Sequence, residues 1–328
     1  MKKIISLLLI VVLSLAFVVS CNNTDDSTEK ADVNVAVLNG STGFGMAYLM
    51  EQASNDSASN NYTFTVHTAP TEIQSALLNG DIDIAALSTS KASTIYNESN
   101  GAIKVIALNT LGVLYLVENG TTTINSINDL EGKTIYCPGD PSPILRSLLS
   151  KNSINATIDT TYKSPADLNK AVSSGALKDK NVIAVLPEPV LTTAMKANSK
   201  ISVRLDLTEE WNKVEDTELV QGCVVARTDF INENPEAIIK FLSEYKESIE
   251  YLQENIDDAA KLVVEHGIFA NENVAKIAIP KCNVTYIDGS EMKTTLNGFL
   301  SAIYSVVPSN IGGKLPNDDF YYISEWQF

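Results

Sequence analysis

The stretch TEIQSALLNGDIDIAALSTS (residues 71–90) carries the clearest structural message in the chain. Thr71 is a suitable N-cap, and Ile73, Ala76 and Leu77 fall on one helical face. Gly80 stops the pattern, as glycine does at helix ends. DIDIAALS (81–88) then reads as a buried strand that runs out into three hydroxyl residues, Ser88, Thr89 and Ser90. A helix feeding a strand through a tight glycine turn is half of a β-α-β unit. The same pattern extends in both directions. Upstream, VNVAVLNG (33–40) reads as a strand, STGFGMAYLMEQA as a glycine loop opening a helix, and TFTVHTA (63–69) as a strand by alternation. Downstream, KASTIYNE reads as a short helix, and IKVIALN (103–109) and VLYLVEN (113–119) as strands. Strands alternating with helices predict an α/β lobe with a largely parallel sheet.

The alternation restarts after residue 120. KTIYC (133–137) is a strand, and residues 143–151 form a helix that opens on Pro143. TIDTTY, PADLNKAVSS, VIAVL (182–186), a helix through Met195 and ISVRLDL repeat the theme. LVQGCVVA (219–226) adds one more strand. Helices dominate from Asn234, led by PEAIIKFLSEYKESIEYLQEN, whose Ile238, Phe241, Leu242, Tyr245, Ile249 and Leu252 form one core stripe. EMKTTLNGFLSAIYSVV (291–307) is a second such helix.

The amino terminus addresses the chain. MKKIISLLLIVVLSLAFVVSC (1–21) has a positive start and an apolar run shorter than the ~20 residues of a comfortable membrane span. It reads as a secretory signal peptide. Ser20 before Cys21 resembles a bacterial lipobox, which implies cleavage before Cys21 and a lipid on its thiol; an ordinary signal peptide with a chance cysteine is the alternative. NNTDDSTEKAD (22–32) has no aliphatic or aromatic side chain and reads as a flexible tether.

About 300 residues follow Cys21, enough for two domains. The 328-residue chain is 45% hydrophobic and 20% charged, a soluble globular composition. Its net charge is −16, and cleavage before Cys21 removes two more positive charges, leaving −18. Nucleic acid and anionic membrane surfaces both demand a basic face, so neither is an expected partner. Cys137, Cys223 and Cys282 remain beside Cys21, with no zinc-like spacing among them; they read as buried thiols, with one disulfide as the alternative. His67 and His266 are the only histidines, and neither has a nucleophile or carboxylate at a telling spacing. No metal, cofactor or catalytic residue is expected.

Three segments carry a family resemblance. SINDLEGKTIYC (126–137) resembles the start of the second lobe of periplasmic-type solute-binding proteins. LLNGDIDIAALSTS (77–90) is similar to a recurrent stretch of theirs. FINENPEAIIKFLSEYKESIEYLQENIDDAAKLV (230–263) resembles the C-terminal helices of the nitrate/sulfonate/taurine and thiamine-precursor binding group. The resemblance implies a type II periplasmic-binding-protein fold, with two α/β lobes joined by two crossing strands around a ligand cleft. Residues 33–115 plus 222–328 would form lobe one and 116–221 lobe two, with crossings near 113–117 and 219–224. It further implies a monomeric, lipid-anchored extracytoplasmic protein that hands a small organic solute to an ABC permease and its ATPase. A solute sensor, or an enzyme on the same fold as in some menaquinone-pathway enzymes, stays open as an alternative.

In open α/β sheets, ligands sit beyond the carboxyl ends of strands, where helix N-termini aim backbone N–H groups. That rule selects Ser41, Thr42, Gly43 and Phe44, then Ser88 and Thr89, then Asn109 and Thr110 in lobe one. In lobe two it selects Gly139, Asp140, Ser142 and Glu188, with Tyr136 or Phe44 as a ring to cover the solute. The glycines of residues 40–45 either let backbone approach a ligand or only make the turn. Glu188 either takes a hydrogen bond from the solute or steadies a helix start. Lys91 and Arg146 are the only cations near these loops, so a neutral or zwitterionic solute is favoured over a strong anion.

Overall fold

The structure is a computed structural model that describes residues 30–120, 122–177 and 181–324. The expected signal peptide, Cys21 and most of the tether lie outside the described residues. Residues 31–328 form one compact unit containing two α/β lobes.

Lobe one opens with β1 (Asp32–Leu38), α1 (Ser41–Phe44), α2 (Ala47–Ser54), β2 (Asn61–His67), α3 (Pro70–Asn79), β3 (Ile84–Ser88), α4 (Thr89–Ser99) and β4 (Ile103–Thr110). Lobe two follows as β5 (Leu114–Asn119), β6 (Thr134–Tyr136), α5 (Ser142–Lys151), β7 (Thr157–Asp159), α6 (Pro165–Ser174), β8 (Val182–Pro187), α7 (Val190–Ala197), β9 (Ile201–Asp206) and α8 (Leu207–Trp211). The chain then returns to lobe one through β10 (Gly222–Arg227), α9 (Thr228–Glu233), α10 (Pro235–Glu254), α11 (Ile256–Glu265), α12 (Glu272–Ala278), β11 (Val284–Ile287) and α13 (Gly289–Val306).

The first sheet has the order β11-β4-β10-β3-β1-β2 and the second β7-β6-β8-β5-β9. In each, the strand that arrives from the other lobe, β10 or β5, lies antiparallel between two neighbours. The parallel pairs β1–β2, β1–β3, β6–β7 and β6–β8 carry the β-α-β crossovers. The lobes are thus two copies of one wiring scheme. Parallel strands covered on both faces read as continuous apolar runs, which is why β1, β3 and β8 were visible in the sequence.

Sheet pairing moves some boundaries. Leu114 and Tyr115, grouped with lobe one by sequence, pair with Pro187 and Leu186 inside the second sheet. The crossings are therefore the short segments 111–113 and 212–221. Both contain residues that tie them together: Val113 N–H donates to Gln221 Oε1 at 2.7 Å, and Gln221 N–H donates to Thr110 O at 2.9 Å. At Gly112 a Cβ atom would run into the Thr208 side chain, so this crossing passes too close to α8 for any larger residue. Helix α3 starts two residues earlier than expected, with Pro70 in its first turn and Ala69, not Thr71, at the N-cap. Gly80 ends it at φ +84°, as the sequence indicated.

One core cluster runs through both lobes. Val105, Leu108 and Val225 from the first sheet join Leu116, Ile135 and Val185 from the second. Met292, Leu296 and Phe299 of α13 lie in the same cluster, and α13 packs on α5. Trp211 closes the seam, with its ring centroid 5.6 Å from that of Phe299 and its indole N–H on Thr217 O at 2.6 Å. The outer face of the first sheet is covered by α10, whose Ile238, Phe241, Leu242, Tyr245, Ile249 and Leu252 are all buried. Cys137, Cys223 and Cys282 are free thiols in the interior. Burial raises all three thiol pKa values, which leaves them poor nucleophiles.

Candidate functional site

The carboxyl ends of β1, β3 and β4 in one sheet and of β6 and β8 in the other meet along the lobe seam. Contacts cross this seam at several points. Ser88, the last residue of β3, accepts the Lys91 N–H at 3.4 Å as the cap of α4, and it is one influence on the carboxyl of Asp140, which follows β6. Lys91, in the first turn of α4, adds its charge on the same side. Lys281 acts on the Glu188 carboxyl, and Lys196 of α7 donates to the Asn273 carbonyl of α12 at 3.3 Å.

Asp140 is the site residue whose surroundings say most. Its side chain remains exposed to solvent, yet protein crowds it closely enough to raise its carboxyl pKa. Ser88 and Lys91 pull the pKa back toward the ordinary range, since both stabilise the ionised form. Ser142 does not reach outward; it turns back to donate to the Gly139 carbonyl at 2.8 Å.

Glu188 sits differently. It is 2% exposed, and both carboxylate oxygens are taken by its own helix. Thr192 donates its backbone N–H at 3.1 Å and its hydroxyl at 2.9 Å. Of the two readings the sequence left open, the geometry displays the helix-start role. Burial raises the Glu188 pKa, opposed by the Thr192 bonds and then by Lys281. Tyr115 stands in the same neighbourhood, its pKa pushed up to about 12, first by burial and then by the charges of Asp206 and Glu188.

In lobe one the expected residues come together but divide in role. Thr89 spends its hydroxyl on Val220 O at 2.8 Å and its backbone N–H on Gln221 O at 3.1 Å. Asn109, 1% exposed, donates to Thr42 O at 3.0 Å and accepts the Thr110 hydroxyl at 3.1 Å. Thr89, Asn109 and Thr110 therefore brace the strand-end loops and present no free polar group to a solute. Phe44 is fully buried, edge-on to Phe269 with centroids 5.9 Å apart, so it is a core residue and not a ring that covers a ligand. At Gly43 a Cβ atom would collide with the Leu38 carbonyl and Val37, which makes this glycine a packing requirement of the turn. Ser41, Thr42 and Ser88 keep partial exposure, as does Tyr136, which leans edge-on against Tyr162 at 6.4 Å.

The sequence reading missed Lys281 and Gln221 as seam residues. Both lie beside strand signals of other segments, so no local pattern marks them. A surface cavity of about 530 Å³ opens between Asp32, Asn34, Asp56, Asn60 and Tyr62. It lies where β1 and β2 begin, at the end of the sheet away from the seam. Among the described residues no cluster of His, Cys, Asp or Glu could hold a metal ion, and no helix is long and apolar enough to cross a membrane.

Two lobes with this strand order, wired through an antiparallel strand each, define the periplasmic-binding-protein fold of type II. Solved structures agree. An ABC transporter protein from Parabacteroides distasonis aligns at 24% identity and TM-score 0.74, over 91% of this chain and 100% of that one. The ligand-binding component of an ABC-type import system from Staphylococcus aureus aligns at 14% identity and TM-score 0.70, over 90% and 97%. The periplasmic aliphatic sulphonate-binding protein SsuA from Escherichia coli aligns at 14% identity and TM-score 0.69, over 90% and 94%. No curated protein sequence matches the chain. The family model described as menaquinone biosynthesis matches residues 44–278, and the chain belongs to that family.

Proposed function

We propose that this protein is an extracytoplasmic solute-binding lipoprotein that hands a small organic solute to an ABC permease and its ATPase. The observation that carries the reading is the seam. Two separately wired lobes meet there, joined by the crossings that Val113 and Gln221 tie together and by the Lys196 bond to the Asn273 carbonyl. Binding proteins of this fold work by closing such lobes on a solute, and the import-system and sulphonate-binding neighbours supply the analogy. The MKK start, the apolar run and Ser20-Cys21 support export and a lipid anchor. It acts as a monomer.

The test is a thermal-shift screen of the full chain against sulfonates, nitrate, pyrimidines, flavins and amino-acid-like compounds. A solute at 100 times its Kd adds about 2.7 kcal/mol to the folded state. For a chain of this size that raises Tm by about 2–4 °C. No shift with any compound counts against the reading. The anchor has its own test, because Cys21→Ala removes the acceptor thiol. Metabolic labelling with a fatty-acid analogue is expected in the wild type and not in the variant, and equal labelling sinks the anchor.

The family description favours a second reading, an enzyme of menaquinone biosynthesis on the same fold. Against it stand the three buried thiols and the two histidines. His67 is engaged by Glu72 and Thr65, and His266 by Glu51. A solute recovered chemically unchanged after prolonged incubation supports binding without turnover, and a converted one supports the enzyme.

A further inference from the structure

The cavity where β1 and β2 begin has a one-sided wall. Its side-chain amide and phenol donors are engaged within the protein. Asn34 Nδ2 donates to Asp83 Oδ2 at 3.2 Å, and Asn61 Nδ2 to Asp32 Oδ1 at 3.1 Å. Asn60 Nδ2 donates to Tyr62 Oη at 2.9 Å and to the Ala237 carbonyl at 3.1 Å. Tyr62 in turn donates to Glu244 Oε2 at 2.6 Å, and the Ser59 N–H donates to the other oxygen of that carboxylate. These bonds fix the orientation of the Asn60 amide, because turning it over would set its oxygen against the Ala237 carbonyl. The Asn60 oxygen is what they leave over. Asn60 is 2% exposed, and its Oδ1 accepts no hydrogen bond. A buried carbonyl oxygen without a donor is rare in folded proteins and costs stability.

The charge of the wall is one-sided as well. Asp32 and Asp56 are exposed carboxylates of the lining, and Glu244 stands behind Tyr62. Among the described residues no lysine or arginine lines the cavity. Its volume of about 530 Å³ is that of a small-molecule site. A bare metal ion is poorly served there, since among the described residues no group of three His, Cys, Asp or Glu side chains could hold one. We propose that this cavity is a second binding site, separate from the lobe seam, for a small organic cation rich in N–H donors, an alkylguanidinium or alkylammonium. Its N–H groups meet the Asp32 and Asp56 carboxylates in charge-assisted bonds and supply donors to a wall that offers acceptors. The site is built within lobe one alone, so binding there needs no movement of the lobes. The inference does not depend on the solute-binding reading of the seam.

The experiment titrates the full chain by calorimetry with butylguanidine, butylamine and butylurea, the last a neutral isostere of the first. Wild type is expected to bind one of the two cations more tightly than butylurea. That affinity should fall as sodium chloride is raised, because the two carboxylates are exposed. Asp32→Asn combined with Asp56→Asn keeps the shape and removes both charges. It is expected to weaken the cation about 10- to 100-fold, the worth of a charge-assisted contact, with Tm close to the wild-type value. If the double variant does not fold, each single variant carries the same comparison. Thr63→Lys adds an ammonium group to the lining and should block the probe. Butylurea binding as tightly as both cations overturns the proposal, and so does the absence of binding by any probe. Cation affinity unchanged in the double variant and in Thr63→Lys also overturns it, because the probe then sits elsewhere. None of these outcomes bears on the seam, whose solutes are tested separately.

Discussion

Two carboxylates of lobe two were singled out together by sequence, and their surroundings separate them. Asp140 is exposed to solvent; Glu188 is buried and bound to Thr192. For Glu188 the difference is local, since Thr192, four residues on, donates to both carboxylate oxygens. Phe44 is different, since a glycine-flanked aromatic reads equally well as ligand cover or as core. Glu188 has a pH signature. Burial raises its folded-state pKa above the unfolded value of about 4.3. An acid so shifted binds its proton more tightly folded than unfolded. Its contribution is thus greatest below the unfolded value and is lost as pH rises toward the folded one. Glu188→Gln stays neutral throughout and keeps an acceptor for Thr192. Wild-type stability minus that of Glu188→Gln should therefore rise as pH falls from 7 to 4 in urea titrations. A difference that is flat, or falls with acid, removes burial as the dominant influence on this carboxyl.

At the level of elements, the sequence displayed what local chemistry controls. Apolar runs marked β1, β3, β8 and β10, and Gly80 marked the end of α3. The apolar pattern did not display which strand crosses, because an apolar run looks the same in either sheet; the family resemblance alone put the crossings near 113–117 and 219–224. That choice is made by pairing: β5 inserts between β8 and β9, and β10 between β3 and β4. The crossings are then locked by one side chain. Gln221 takes the Val113 N–H from the outgoing segment, while its own backbone binds Thr110 and Thr89. Val113 is buried, so Gln221→Ala leaves its N–H without an acceptor. The expected loss is about 1–3 kcal/mol, seen as a lower urea midpoint at unchanged slope. An unchanged midpoint would show that the crossings do not depend on this bond.

For the molecule as a whole, the two lobes repeat one wiring scheme yet do not own separate cores. A sequence restart suggested independent halves, each with its own α/β alternation. The continuous cluster from Val105 through Leu116 and Ile135 to α13 shows why they are not independent. Helix α13 comes from the end of the chain and packs on α5 of the inserted lobe, so closing the core needs residues nearly 150 positions apart. No periodicity within a helix reveals such a partner. Phe299 is the side chain to probe, being 1% exposed and ring-to-ring with Trp211 of lobe two. Truncating a buried phenylalanine costs about 3–5 kcal/mol, through lost burial and the cavity left behind. With Trp326→Phe in both proteins so that Trp211 alone reports, a shared core that couples the lobes makes the parent and Phe299→Ala each unfold in one transition, with tryptophan fluorescence and far-UV circular dichroism coincident. The variant's single midpoint should fall for both probes together. Two separated transitions in the variant, with the fluorescence change first, would show that the seam around Trp211 yields while the sheets hold, and that the lobes keep stabilities of their own.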